Sequence, residues 1–321
     1  MDATGREGGD GPFHGGELAL QDRAGVRERT DGVGRKFIRD RMPDQHRAFF
    51  GQLPFLVVGG VDAHGQPWAS MLAGRPGFVQ APDPCRLRVG ALPAAGDPLG
   101  DALAIGADIG VLGVELSSRR RNRLNGRVAG LDPDGFDIAV VQSFGNCPRY
   151  IQLRALLPAA PGVAGPAIRK ARPDDADRRL IRAADTFFIA SAHGRSLDDP
   201  RYGVDVSHRG GKPGFVRVDA DGTLTIPDFA GNAFFNTLGN LAANPKAGLL
   251  FVDFATGDAL HLAGAAAIVW DGPDLDAFAG AQRLLRIVPT EVIRRPQAVP
   301  LRWRLEAMSP ALDRTGTWPA A

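Results

Sequence analysis

Short apolar runs separated by turn residues dominate the chain from Phe49 onward. Phe55-Leu56-Val57-Val58 is followed by Asp62-Ala63-His64-Gly65, and later runs are broken by Pro82-Asp83-Pro84. Runs of this length bounded by Gly, Pro and Asp predict antiparallel strands and hairpins rather than helices. Further strands are predicted at 186–191, 213–218, 223–226, 247–254 and 259–269, with helices at 177–184 and between Asn232 and Ala243. The chain therefore reads as mainly β, a β-barrel architecture with a few helices.

Two stretches depart from this pattern. Residues 1–45 are rich in Gly, Asp and Arg and show no sustained apolar period, which predicts an extension with at most a short helix near Val33 to Arg41. Residues 157–175 concentrate Pro, Ala and Gly, and each proline removes a backbone donor and restricts its predecessor. That stretch is the predicted linker between a first domain at 46–156 and a second at 176–315.

The two halves echo each other. Arg75-Pro76-Gly77-Phe78-Val79 matches Lys212-Pro213-Gly214-Phe215-Val216, and Leu124-Asn125-Gly126 matches Leu262-Ala263-Gly264. The separation from Phe78 to Gly126 is 48 residues, and from Phe215 to Gly264 it is 49. Equal spacing of matched motifs predicts a degenerate tandem repeat.

Composition narrows the class. The 321 residues, 44% apolar and 23% charged, suit two globular cores, and no apolar run approaches the roughly 20 residues of a membrane helix. The net charge of +2 gives no broad basic face for nucleic acid. Two cysteines and an acidic, glycine-rich start without a signal-peptide pattern predict a cytoplasmic protein.

Candidate chemistry gathers in the second half. In Ser207 to Val218, two glycines and a proline set a tight turn beside Ser207, His208, Arg209 and Lys212, which is anion-binding equipment. Asn232, Asn236 and Asn240 recur every four residues on one face of the predicted helix, with Thr237 beside them. Asn is a poor helix filler, and a helix N-terminus offers free N–H groups to a phosphate.

The run from Pro227 to Asp253, PDFAGNAFFNTLGNLAANPKAGLLFVD, resembles the helix-and-strand signature of the pyridoxamine-5′-phosphate-oxidase-like, FMN-binding split-barrel superfamily. With SHRGGKPGFV before it, FATGDALHLAGAA after it, and the segments FHGGELALQ and FGNCPRYIQ, the chain is similar to that superfamily's flavin-nucleotide-binding branch over nearly its whole length. The resemblance implies tandem split barrels and FMN held across two of them; a turnover enzyme of this kind is expected to be reduced by a nicotinamide donor. Two barrels of one chain, or a homodimer, would complete the site. The FMN phosphate is expected near Ser207, Arg209, Lys212, Asn236 and Thr237, with His208 adjacent and Phe215, Asp228, Asn232 and Asn240 lining the rest; Asn236 and Thr237 stand where members of the superfamily often carry an Arg or Lys, so the phosphate charge would rest more heavily on Arg209 and Lys212. The first half reads GDPLGDALAIGAD, where Asp97 and Asp101 would oppose a phosphate, so its own site is expected to be incomplete.

Other features carry less. Ser118 to Arg123 reads as a charged hairpin surface, so Arg121→Ala is expected to matter little beside Arg209→Ala. Cys147 reads as a buried turn cysteine, and no histidine pair has metal-site spacing. No GxSxG elbow, Walker loop or Rossmann fingerprint is present. The leading expectation is an FMN-dependent oxidoreductase of unknown substrate. A non-catalytic flavin module, or a barrel holding haem or a deazaflavin, is the alternative; for haem, His208 is the axial candidate beside the motif.

Overall fold

A computed structural model describes residues 11–158, 162–194 and 199–319. Residues 1–10 of the predicted extension and 159–161 of the predicted linker lie outside them. The first sheet holds β1 (Phe55–Val61), β2 (Pro67–Ala73), β3 (Val79–Asp83), β4 (Arg86–Val89), β5 (Asp108–Glu115), β6 (Arg120–Asp132) and β7 (Gly135–Gly145). Between the sheets come β8 (Leu153–Leu156) and β9 (Ile168–Lys170). The second sheet holds β10 (Thr186–Ala192), β11 (Val204–Gly210), β12 (Arg217–Val218), β13 (Leu224–Phe229), β14 (Lys246–Val252), β15 (Ala259–Val269) and β16 (Ala281–Arg295).

Strand order is β2-β1-β5-β6-β7-β4-β3 in the first sheet and β11-β10-β14-β15-β16-β13-β12 in the second. The two orders are the same when strands are counted from the start of each half. Strand β9, inside the predicted linker, pairs with β16, and β8 pairs with the C-terminal β17 (Trp303–Ala307).

The halves pack on each other reciprocally. Strand β11 lies against β5 and β1, while its counterpart β2 lies against β14 and β10. This explains why β1 and β10 read as unbroken apolar runs: both faces are buried. Leu56 and Val58 point into the first barrel, and Phe187 and Ile189 into the second. The alternate residues Phe55, Val57, Phe188 and Ala190 form a third core between the barrels. Two glycines permit the approach: a Cβ on Gly110 would sit 2.5 Å from the Val204 carbonyl oxygen, and one on Gly248 2.1 Å from that of Pro67.

The N-terminal region is more helical than its composition predicts, with α1 (Gly15–Arg23), α2 (Arg27–Phe37) and α3 (Asp44–Gln52). The His14 ring caps α1 by accepting from Gly16 N, and the Glu17 carboxylate returns to His14 N, a reciprocal cap that the absence of apolar periodicity concealed. In the second half, α4 (Asp175–Ala183) and α5 (Asn236–Ala243) fall where helices are predicted, and the short α6 (Pro273–Asp276) precedes β16. Ser207 to Arg209 belong to edge strand β11 rather than to the Gly-Pro turn, which occupies Lys212 to Phe215.

Candidate functional site

A cavity of about 790 Å³, within the range of small-molecule sites, opens between the barrels beneath the N-terminal helices. Strand β11 contributes Ser207, His208 and Arg209; β13 and the loop after it contribute Asp228, Phe229 and Asn232. The start of α5 contributes Asn236 and Thr237, and β16 contributes Arg283. The first barrel adds Arg121 and Arg123 from β6, and Arg29 and Thr30 of α2 close over the top.

The lining is strongly basic. Six arginines (29, 121, 123, 149, 209 and 283) face one carboxylate, Asp228. Asp228 is shared: Arg209 bonds one oxygen and Arg283 lies 3.2 Å from the other. Arg123 reaches across from the first barrel to Asp205 Oδ1 at 3.0 Å and also donates to Ser207 Oγ, which Thr237 Oγ1 contacts at 2.8 Å. The Arg121 side chain has no hydrogen-bond or ion-pair partner among the described residues, and its Nε is buried without an acceptor. Burial, with Arg123 and Arg209 nearby, pushes its guanidinium down to about 10.

Unpartnered polar atoms converge here. The Nε atoms of Arg123, Arg209 and Arg283 and both ring nitrogens of His208, a residue only 5% exposed, lack acceptors or donors. Burial, reinforced by Arg121, Arg154 and Arg209, drives His208 well below the usual imidazole range, so it is neutral. Buried donors without partners cost about 1–3 kcal/mol each, and an anion would satisfy them.

Helix α5 points its start at the same space. Its N-cap is Phe235, held at φ 64°, and no side chain caps the first turn. Ala233 is also left-handed, at φ 62°. Such conformations cost roughly 1–3 kcal/mol each in non-glycine residues and concentrate at ligand sites. Here Phe235 is held under the Arg283 guanidinium, 4.8 Å from its ring centre, and Trp270 receives the same cation at 4.8 Å. Tyr150 and Phe229, 5.1 Å apart, complete an aromatic part of the lining.

Eight of the ten sequence-predicted residues line this cavity: Ser207, His208, Arg209, Phe215, Asp228, Asn232, Asn236 and Thr237. Lys212 does not; its Nζ bonds the Thr315 carbonyl at 2.6 Å, because the turn carries it toward the C-terminal segment. Asn240 lies one turn deeper, bonded to Asp205 at 2.8 Å and to His14 at 3.0 Å, where it supports the site rather than lining it. The reading of Ser118 to Arg123 as a surface hairpin fails for its last residues, since Arg123 is only 3% exposed and Arg121 faces the cavity. Alternation along β6 is the signal that could have separated Arg121 and Arg123 from their neighbours. The buried acid Glu17 was also missed; it accepts from Asn236 at 2.5 Å, and burial beside Asp205 raises it well above the carboxylate range.

Among the described residues no cluster of acidic, histidine and cysteine side chains could hold a metal, and no helix is long and apolar enough to cross a membrane. Residues 173–303 match the family model described as pyridoxamine 5′-phosphate oxidase. The matched residues all lie in the second half of the chain, which is similar to that family. No curated protein sequence matches it. Solved structures overlap at low similarity. A variant of HupZ from Group A Streptococcus is 14% identical, covering 36% of this chain and 94% of its own, with TM-score 0.28. A candidate pyridoxamine 5′-phosphate oxidase of Lactobacillus delbrueckii is 14% identical, covering 33% and 95%, with TM-score 0.27. An FAD-binding protein of Mesorhizobium loti is 12% identical, covering 40% and 96%, with TM-score 0.26.

Proposed function

We propose that this split-barrel protein binds a flavin nucleotide, FMN, in the cavity between its barrels and serves as a cytoplasmic oxidoreductase with a nicotinamide donor. The observation that carries the reading is the convergence of Arg121 and Arg123 from one barrel with Arg209 and Arg283 from the other, four guanidiniums against two carboxylates, Asp205 and Asp228, with Arg121 unpaired. The family match over 173–303 supports the cofactor class.

The donor set fits the group. Unpartnered guanidinium nitrogens and the uncapped start of α5 suit a phosphate dianion, and Ser207 and Thr237 hydroxyls stand beside them. Tyr150, Phe229, Phe235 and Trp270 offer apolar surface for a planar ring system. In this reading the barrel at 176–315 supplies most of the site and the barrel at 46–156 the opposite wall. Bound flavin would supply hydride chemistry, and the chain's part is to hold the nucleotide and exclude water. His208, neutral and buried, acts as a hydrogen-bonding wall rather than as a charge.

The test is the absorption spectrum of the purified protein, before and after FMN and then NADH or NADPH without oxygen. Flavin bands that shift on binding and bleach with the nicotinamide support the reading. Bound flavin that stays oxidised removes the oxidoreductase part, and absence of uptake removes the cofactor.

A further inference from the structure

The equal strand order allows each site residue to be matched with a counterpart in the other half. Pairing registers align Val58↔Ser70 with Ile189↔Ser207, so Ser70 stands where Ser207 stands. They likewise align Gly110↔Asn125 with Gly248↔Ala263, so His261 occupies the place of Arg123, and Ala259 that of Arg121. Leu99-Gly100 corresponds to Leu238-Gly239, which puts Asp97 opposite Asn236.

This second location is filled from within. Asp97, only 6% exposed, accepts from Ser70 Oγ at 2.5 Å and from Leu99 N at 3.0 Å through one oxygen. Its other oxygen takes the Arg295 guanidinium, from the opposite barrel, at 2.5 Å. Arg295 is the strand partner of Ala259, so the cation comes from the same patch of the opposing barrel as Arg121 does at the open site. His261 is buried beside this pair, with Nδ1 on the Ala69 carbonyl at 3.0 Å. At the open site Asn236 is neutral and turned to Glu17, leaving Ser207 and the arginines facing the cavity.

We propose that Asp97 is an internal ligand: its carboxylate occupies in the first barrel the position that the second barrel keeps for the anionic group of its ligand. Each chain therefore binds one phosphate-bearing ligand rather than two, and that ligand's phosphate contacts Ser207 with Arg121 and Arg123 reaching over from the first barrel. The inference rests on the proposed anion-binding function of the cavity, although the occupation by Asp97 is a property of the other site.

The experiment replaces the carboxylate and offers an anion in its place. Wild-type protein, Asp97→Ala and Asp97→Asn are titrated with inorganic phosphate and melted in phosphate and in chloride at equal ionic strength. Wild type takes up one equivalent of phosphate. Asp97→Ala melts lower in chloride, because Arg295 is left unpaired, takes up a second equivalent, and gains about twice the wild-type phosphate-dependent rise in melting temperature. Asp97→Asn, which keeps the shape and loses the charge, shows the same rescue in weaker form. If Asp97→Ala folds only when refolded in phosphate, that is the expected rescue in its strongest form. Two equivalents on wild type, or variants that phosphate helps no more than wild type, folded or not, overturn the proposal. An FMN titration of wild type runs alongside: phosphate rescue without FMN uptake sinks the flavin reading alone, and FMN uptake without rescue sinks the Asp97 proposal alone.

Discussion

Arg123 Nη1 lies 3.0 Å from Asp205 Oδ1, both side chains buried, in a contact that joins β6 of the first barrel to β11 of the second across 82 residues of chain. Asp205 is further held by Asn125 and Asn240, each at 2.8 Å. The pair ties assembly of the barrels to assembly of the cavity, because the same guanidinium bonds Ser207.

Removing the cation alone should be costly. Arg123→Ala leaves Asp205 buried with only neutral donors, a change that destabilises by about 3–5 kcal/mol in comparable pairs. Urea unfolding should show that loss; a change below about 1 kcal/mol would mean that water replaces the pair.

Arg121 should behave oppositely. Its side chain has no partner to lose, so Arg121→Ala should leave stability unchanged or improved while weakening FMN binding at least as much as Arg209→Ala does. Charge-assisted bonds to a phosphate are worth about 1.5–3 kcal/mol, roughly 10- to 100-fold in affinity. Flavin fluorescence titration decides; an unaffected affinity in Arg121→Ala would show that the phosphate lies elsewhere. Arg209→Ala would be buffered, since Arg283 still faces Asp228.

Acid should loosen the fold before it protonates ordinary carboxylates. Burial lowers His14 to about 4 and also lowers His46, His208 and His261. Each is neutral when folded and takes a proton more easily unfolded, so its contribution is complete above about pH 6.5 and declines as pH falls toward the folded value. The slope approaches about 1.4 kcal/mol per pH unit for each histidine in that window. Glu17 opposes this trend, because its raised folded value favours folding at lower pH. A single acid cannot offset four histidines, so melting temperature should fall from about pH 7.5 to about pH 5; a flat profile would contradict the neutral assignments.

The barrel interface should resist any side chain at two glycines. Gly248→Ala drives a methyl group against the Pro67 backbone, and Gly110→Ala drives one against Val204. Backbone cannot yield as a flexible side chain can, so each should cost about 1–3 kcal/mol, with the barrels separating or unfolding earlier. Differential scanning calorimetry would register the loss, and an unchanged transition would show a looser interface.

Local patterning settled much of this protein. The runs at 55–58 and 187–190, the Asn-rich helix ahead of Asn244-Pro245, and the matched motifs in the two halves follow from side-chain periodicity and turn chemistry, which neighbouring residues determine. Most of the cavity's second-barrel wall was visible for the same reason, since Ser207 and Arg209 fall in one short motif and Asn236 and Thr237 in another. Tertiary structure alone decided the rest. The helices 15–23 and 44–52 exist because they dock on α5 and β3, not because of their own apolar period. Arg121 and Arg123 become cavity residues, and Asp97 becomes a buried ligand of Ser70 and Arg295, only when the two barrels meet, while Lys212 is drawn off to the carbonyl of Thr315. Strand periodicity tells a side chain which face of its own sheet it takes, but burial and pairing across an interface depend on surfaces far apart in the chain.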